Sequence, residues 1–158
     1  MIQVLFVCLG NICRSPMAEA IFRHKVKQAG LDGVIFTDSA GTGDWHIGER
    51  PHQGTRRILD QYRIDHQGMT ARQVRPDDFE QFTYIIAMDD SNVRNLLPFA
   101  QGSIEQRAEI HKLLAFAPTR GVSDVPDPYY TGNFQEVYDM VEESCENLLA
   151  YVREAQKL

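Results

Sequence analysis

The first apolar run, Ile2–Cys8, is short and rich in β-branched residues, and it ends at Leu9-Gly10-Asn11. Such a run predicts a strand buried on both faces, with a turn behind it. From Arg14 to about Gly30 the spacing changes. Ala18, Ile21, Phe22, Lys25 (through its stem) and Ala29 recur at three and four, which predicts a helix. Ser15 suits its cap, Pro16 its first turn and Gly30 its stop. Val34–Ser39 and Thr83–Met88 read as two further strands. Between them lie a glycine-bearing loop, Ala40–Arg50, and a helix over Pro51–Tyr62 with Ile58 and Leu59 inward. Ser91–Leu97 predicts a short helix ended by Pro98. Ala108–Phe116 fits either a short strand or a turn of helix, and Pro118–Asn133 is a proline-bearing loop. Phe134–Ala155 carries the longest helical stripe: Phe134, Val137, Tyr138, Val141, Cys145, Leu148, Leu149 and Val152.

Alternating strands and helices predict an α/β domain, a parallel sheet with helices on both faces. At 158 residues, with no internal repeat, the chain fits one domain. Ligands of such sheets bind at the carboxyl ends of the strands, so the turn after the first strand is the place to look for chemistry.

Charge narrows the partners. Sixteen Lys and Arg stand against 22 Asp and Glu, a net −6. The one basic cluster, Arg23-His24-Lys25-x-Lys27, reads as a solvated helix face, so no nucleic-acid partner is expected. No apolar run approaches a membrane span, and the uncharged N-terminus reads as a strand rather than a leader. Three cysteines, an odd count, fit a reducing, cytoplasmic setting.

The segment Cys8-Leu9-Gly10-Asn11-Ile12-Cys13-Arg14-Ser15-Pro16 joins the first strand to the first helix. Gly10 and Asn11 tolerate left-handed backbone. Successive N–H groups in such a turn curl around an anion, and a helix N-terminus adds partial positive charge. Arg14 supplies a planar fork that matches two phosphate oxygens. The same field favours the thiolate of Cys8, a nucleophile beneath a bound phosphate. No Gly-Lys-Ser/Thr follows, so this is not a nucleotide-binding Walker loop, and Gly41-x-Gly43 lacks the third glycine of a dinucleotide site. Metal ligation is not expected either, since neither Cys-x-x-Cys nor His-Glu-x-x-His occurs. A general acid must come from another segment. Asp127, between Pro126 and Pro128 in the long loop, is the candidate.

The Cys8–Pro16 segment resembles the phosphate loop of the low-molecular-weight protein tyrosine phosphatases, bacterial members in particular. Asp38-Ser39-Ala40, Asp44-Trp45, Ala71-Arg72-Gln73, Met88-Asp89-x-Ser91-Asn92 and Asp127-Pro128-Tyr129-Tyr130 extend the resemblance along nearly the whole chain. It implies a single three-layer domain over residues 1–158, with a four-stranded parallel sheet and the phosphate loop between strand one and helix one. It implies a phosphomonoesterase needing no cofactor and acting on phosphotyrosine-containing proteins, with phosphate or other oxyanions held in the loop. Cys8, Arg14 and Asp127 are then catalytic. Leu9, Gly10, Asn11, Ile12, Cys13, Ser15 and Ser39 form and support the loop, and Trp45, Tyr129 and Tyr130 wall a slot for a phenyl ring. Met69 stands where animal members carry a histidine. A monomer or weak dimer is expected.

Relatives on the same scaffold set the alternatives. Protein-arginine phosphatases carry Thr where this chain has Ile12, and arsenate reductases relay a disulfide through cysteines absent here. A non-catalytic phosphopeptide-binding module would lack Cys8 or Asp127. Cys13 is close enough to Cys8 in sequence for a reversible disulfide, and Cys145 reads as core. The remaining acidic pairs, Asp77-Asp78, Asp89-Asp90 and Glu142-Glu143, read as solvated faces or helix starts, and the five histidines carry no assigned role.

Overall fold

A computed structural model describes residues Met1–Leu158. Strand β1 (Ile2–Cys8) lies inside a four-stranded, wholly parallel sheet of order β2-β1-β3-β4, with β2 Ile35–Gly41, β3 Tyr84–Ala87 and β4 Glu109–Lys112. The chain steps from β1 to β2 on one side and later to β3 on the other. The carboxyl end of β1 is therefore the switch point of the sheet, where the flanking loops diverge and leave a crevice.

Period-two alternation along β1 feeds two cores. Ile2, Val4, Phe6 and Cys8 point to the larger one, closed by helices α1 (Arg14–Gln28), α2 (Gln53–Gln61) and α6 (Phe134–Gln156). Leu5 and Val7 point to the smaller one with Phe79, Phe82 and Leu96, under α3 (Asp78–Gln81) and α4 (Asp90–Gln101). The α6 stripe is as expected, and Cys145 is fully buried in it. No helix is long and apolar enough to cross a membrane.

Several boundaries move. Ser15 does not cap α1: the helix opens at Arg14 behind Cys13 with no side-chain cap, and the Ser15 hydroxyl is used elsewhere. Pro98 does not end α4. It lies on the exposed face, where one lost backbone bond is tolerated, and continuing the helix brings Phe99 and Ala100 onto the smaller core. Strand β2 runs two residues further than Ser39, to Gly41, because Gly41 still pairs with Cys8. Both readings of 108–116 are realised in turn, as β4 followed by a 3-10 turn over Leu113–Phe116. The long loop contains a short helix, α5 (Pro128–Thr131).

Candidate active site

Cys8 ends β1 and is almost fully buried, with Sγ at 3.0 Å from Ser15 Oγ. The Asn11 N–H donates to the same sulfur at 3.3 Å. The loop turns at Asn11, the only residue between Cys8 and Arg14 with left-handed backbone (φ 56°). Its side chain fixes that turn. Nδ2 donates to Ser15 Oγ at 2.8 Å and to Ser39 Oγ at 2.9 Å, and Oδ1 accepts from the Arg72 N–H at 3.0 Å. Ser39 Oγ in turn donates to Glu19 Oε1 at 2.6 Å, and Glu19 pairs with Arg23. Since Ser15 Oγ already accepts from Asn11, its hydrogen is free to point at the Cys8 sulfur.

The N–H groups of Gly10, Ile12, Cys13 and Arg14 donate to no protein acceptor. Ile12, Cys13 and Arg14 are all buried. Buried backbone donors are otherwise nearly always paired, so a row of free ones at the start of a 15-residue helix is an anion seat. Arg14 lies behind it, 3% exposed. Nη1 donates to Asp89 Oδ2 at 2.7 Å and to the Val125 carbonyl at 2.8 Å, and Nη2 stands 3.5 Å from Asp127 Oδ2. Burial opposes its charge. Cys8 and the carboxylates of Asp89 and Asp127 outweigh burial and raise the guanidinium above its usual pKa.

A cavity of about 180 Å³ opens above Cys8. Leu9, Gly10, Ile12 and Cys13 line it from the loop, and Trp45, His46, Asp127, Tyr129 and Tyr130 from outside. Asp127 caps α5, accepting from the Tyr129 N–H at 3.1 Å, which orients the carboxyl and the ring together. The Tyr129 and Tyr130 rings meet edge to face at 5.2 Å. Trp45 is 63% exposed and folds back over Gly43, where a Cβ would collide with the indole.

Every residue expected at the site is thus brought to one place: nine line the cavity, and Asn11, Arg14, Ser15 and Ser39 brace it. Other side chains at the site carried no assigned role in the sequence. Asp78 and Asp89 do stand at helix starts, as the pairs suggested, but on arginines rather than on solvated faces. Asp89 caps α4 through a reciprocal box with Asn92 and holds Arg14, and its Asp-x-x-Asn spacing was the available signal. Asp78 is fully buried and receives both Arg72 Nη atoms at 3.0 and 3.1 Å, with Asp38 on the same guanidinium. Arg72 in turn presents its backbone to Asn11. His46, left unassigned, is in the cavity wall with Nδ1 at 2.8 Å from Glu49. Lys25, read as part of a solvated face, is mostly covered and bonds Glu142 and Glu146, both at 2.6 Å. Met69 packs into the larger core, and the Asn11 amide is completed without a ring at that position. All three cysteines are free thiols. Burial first, then Asp127 and Cys8, push the Cys13 thiol up to about 12.

Comparison with known proteins agrees with this arrangement. Residues 3–158 match the family described as low molecular weight phosphotyrosine protein phosphatase. The chain is 51% identical to the low molecular weight protein-tyrosine-phosphatase YfkJ of Bacillus subtilis over the full length of both. It is also 51% identical to PtpA of Staphylococcus epidermidis, covering 96% of this chain and 94% of that one. The crystal structure of YfkJ superposes with a TM-score of 0.92 over 98% of this chain and 96% of that one. A Drosophila arginine phosphatase, 34% identical, superposes at 0.89 over 96% and 98%. The chain belongs to the low molecular weight protein tyrosine phosphatases, phosphoric monoester hydrolases whose substrates are phosphotyrosines.

Proposed function

We propose that this enzyme hydrolyses protein phosphotyrosine through a phosphocysteine, without a metal. Cys8 Sγ attacks phosphorus in line as the P–O bond to the phenol breaks. The equatorial oxygens take the free loop N–H groups and Arg14, where transition-state charge develops. Asp127 gives its proton to the leaving phenolic oxygen. It then takes one from the water that breaks the S–P bond, which releases phosphate and returns the thiolate. Asn11, Ser15 and Ser39 hold the loop in the shape that aims its donors. The observation that carries the reading is the buried Cys8 sulfur beside unpaired N–H groups, with Asp127 in the same cavity.

The walls support a phenyl ring. Trp45 and Tyr129 offer flat apolar faces. Ile12 gives an apolar, donor-free wall where a hydroxyl would be needed to recognise a guanidinium. The likeness to an arginine phosphatase shows that the fold alone leaves substrate open, so Ile12 and the aromatic rim are the features that favour tyrosine.

The test is a parallel assay on phosphotyrosine and phosphoarginine peptides with chelator present. Phosphotyrosine turnover that survives the chelator is expected, and preference for phosphoarginine would remove Ile12 as the discriminator. Cys8→Ser is expected to fold and to lose turnover. Asp127→Ala is expected to lower kcat/KM about 10²–10⁴-fold for phenyl phosphate and far less for nitrophenyl phosphates, whose leaving oxygens need no proton. An equal loss across leaving groups would rule out the acid role.

A further inference from the structure

We propose that Lys112, outside the cavity, is a positioning residue that sets the reach of Asp127 by clasping the segment that carries it. The inference rests on Asp127 being the general acid. Lys112 is the last residue of β4 and stands beside Ala87, the last residue of β3. Its Nζ bonds Asp124 Oδ1 at 2.6 Å and Asp90 Oδ1 at 2.8 Å. The Asp90 N–H donates to the same Asp124 oxygen at 3.1 Å, so three groups close on one another. Burial opposes the charge on Lys112, but its two carboxylate bonds outweigh that and raise its pKa. The Lys112 bond in turn holds Asp124 below the usual carboxylate range.

The clasp has a mechanical consequence. Asp124 precedes Asp127 by Val125 and Pro126 only. Val125 is pinned by its N–H to the Met88 carbonyl at 2.9 Å and by its carbonyl to Arg14 at 2.8 Å. Pro126 fixes the next φ, and Pro128 restricts Asp127 itself. The Asp124 clasp and the Val125 bonds are thus successive ties on one stiff segment, and loss of the clasp leaves Val125 as the upstream tie, which widens the range of the Asp127 carboxyl. Asp90 is the chain neighbour of Asp89, the carboxylate on Arg14. One lysine thus ties the acid's segment to the chain neighbour of the residue that holds Arg14. The three side chains are partly exposed, so the clasp is screened and its effect is a modest one.

The experiment measures kcat/KM for aryl phosphates of graded leaving-group acidity, from phenyl to nitrophenyl, in the wild type, Lys112→Met, Lys112→Arg and Asp127→Asn. The expected result for Lys112→Met is a loss of about threefold to tenfold with phenyl phosphate that vanishes with nitrophenyl phosphate. That is a shallow copy of the Asp127→Asn pattern. Lys112→Arg is expected to restore most of it, and Asp124→Asn to reproduce it without adding to Lys112→Met. A loss equal across leaving groups, or no loss, overturns the clasp while a steep Asp127→Asn series leaves the acid role standing. A flat Asp127→Asn series removes both. A melting temperature lowered without any change in leaving-group dependence also overturns the proposal, because it marks a merely structural pair.

Discussion

Asn11 joins two constraints that a pair of substitutions separates. Its backbone is left-handed, at φ 56°, and its buried side chain makes three hydrogen bonds at 2.8, 2.9 and 3.0 Å. Asn11→Gly keeps the turn and removes the bonds. Each bond contributes about 0.5–1.5 kcal/mol net, and Ser15, Ser39 and the Arg72 N–H lose a partner, so the total is about 2–4 kcal/mol. Asn11→Ala removes the same bonds and, unlike the glycine variant, keeps a Cβ on left-handed backbone without the polar side chain that eases it, which costs ~1–2 kcal/mol more than glycine. At roughly 2–4 °C per kcal/mol for a chain of this size, the glycine variant should melt about 4–16 °C lower and the alanine variant lower still. Urea unfolding gives the free energies directly. Inhibition by inorganic phosphate reports the loop and should weaken in both variants, since the amide aims its N–H groups. A glycine variant within about 0.5 kcal/mol of wild type would show that the bonds add nothing net over those to water. An alanine variant as stable as the glycine variant would show that the left-handed turn is not what selects Asn at this position.

Gly41, the last residue of β2, and Gly43, in the loop behind it, should behave oppositely. A Cβ at Gly41 would stand 2.8 Å from the Leu9 carbonyl, which is backbone of the phosphate loop, so Gly41→Ala should lower both melting temperature and turnover. At Gly43 the obstacle is the exposed Trp45 ring, which can swing away, so Gly43→Ala should raise KM for aryl substrates with little change in melting, and a kcat effect alone would contradict this. Cys13, held near 12, stays protonated at pH 7–9, so iodoacetamide there should label Cys8 and spare Cys13, as mass spectrometry of peptides would show. Because that pKa is raised above the unfolded value, the stability it confers is full below about pH 9 and is lost as pH rises from 9 towards 12.

The phosphate loop was legible because its constraints are local. A strand, a turn tolerant of left-handed backbone, an arginine and a helix fall within nine consecutive residues, and each has its own signature. The bracing was not legible, because its partners are far apart in the chain. Arg72 reaches Asn11 across 61 residues and Asp89 reaches Arg14 across 75. Nothing in the composition of an Asp-Asp pair says that one member will be buried on a guanidinium. Asp77-Asp78 and Asp89-Asp90 look alike on paper, yet Asp78 and Asp89 hold the site while Asp90 is largely exposed. The α4 boundary was misplaced for a related reason: Pro98 is a stop signal locally, and the burial of Phe99 and Ala100 that overrides it depends on the second core.

The same distinction changes how a net −6 protein holds a phosphate dianion. From the sequence, Arg14 stands beside the loop N–H groups and the helix N-terminus as a partner for phosphate oxygens. In the folded site Arg14 is matched by Asp89 at 2.7 Å and faces Asp127 at 3.5 Å, one cation between two carboxylates. The side chains of the site therefore offer an anion little net positive charge. What remains is oriented donors: the Arg14 fork, the free N–H groups of the loop and the α1 N-terminus, equivalent to roughly half a unit charge. The loop N–H groups are fixed by the Asn11 turn before any ligand arrives, so they need no reorganisation as charge develops on the equatorial oxygens. Arg14 is then best regarded as a fork whose direction Asp89 sets.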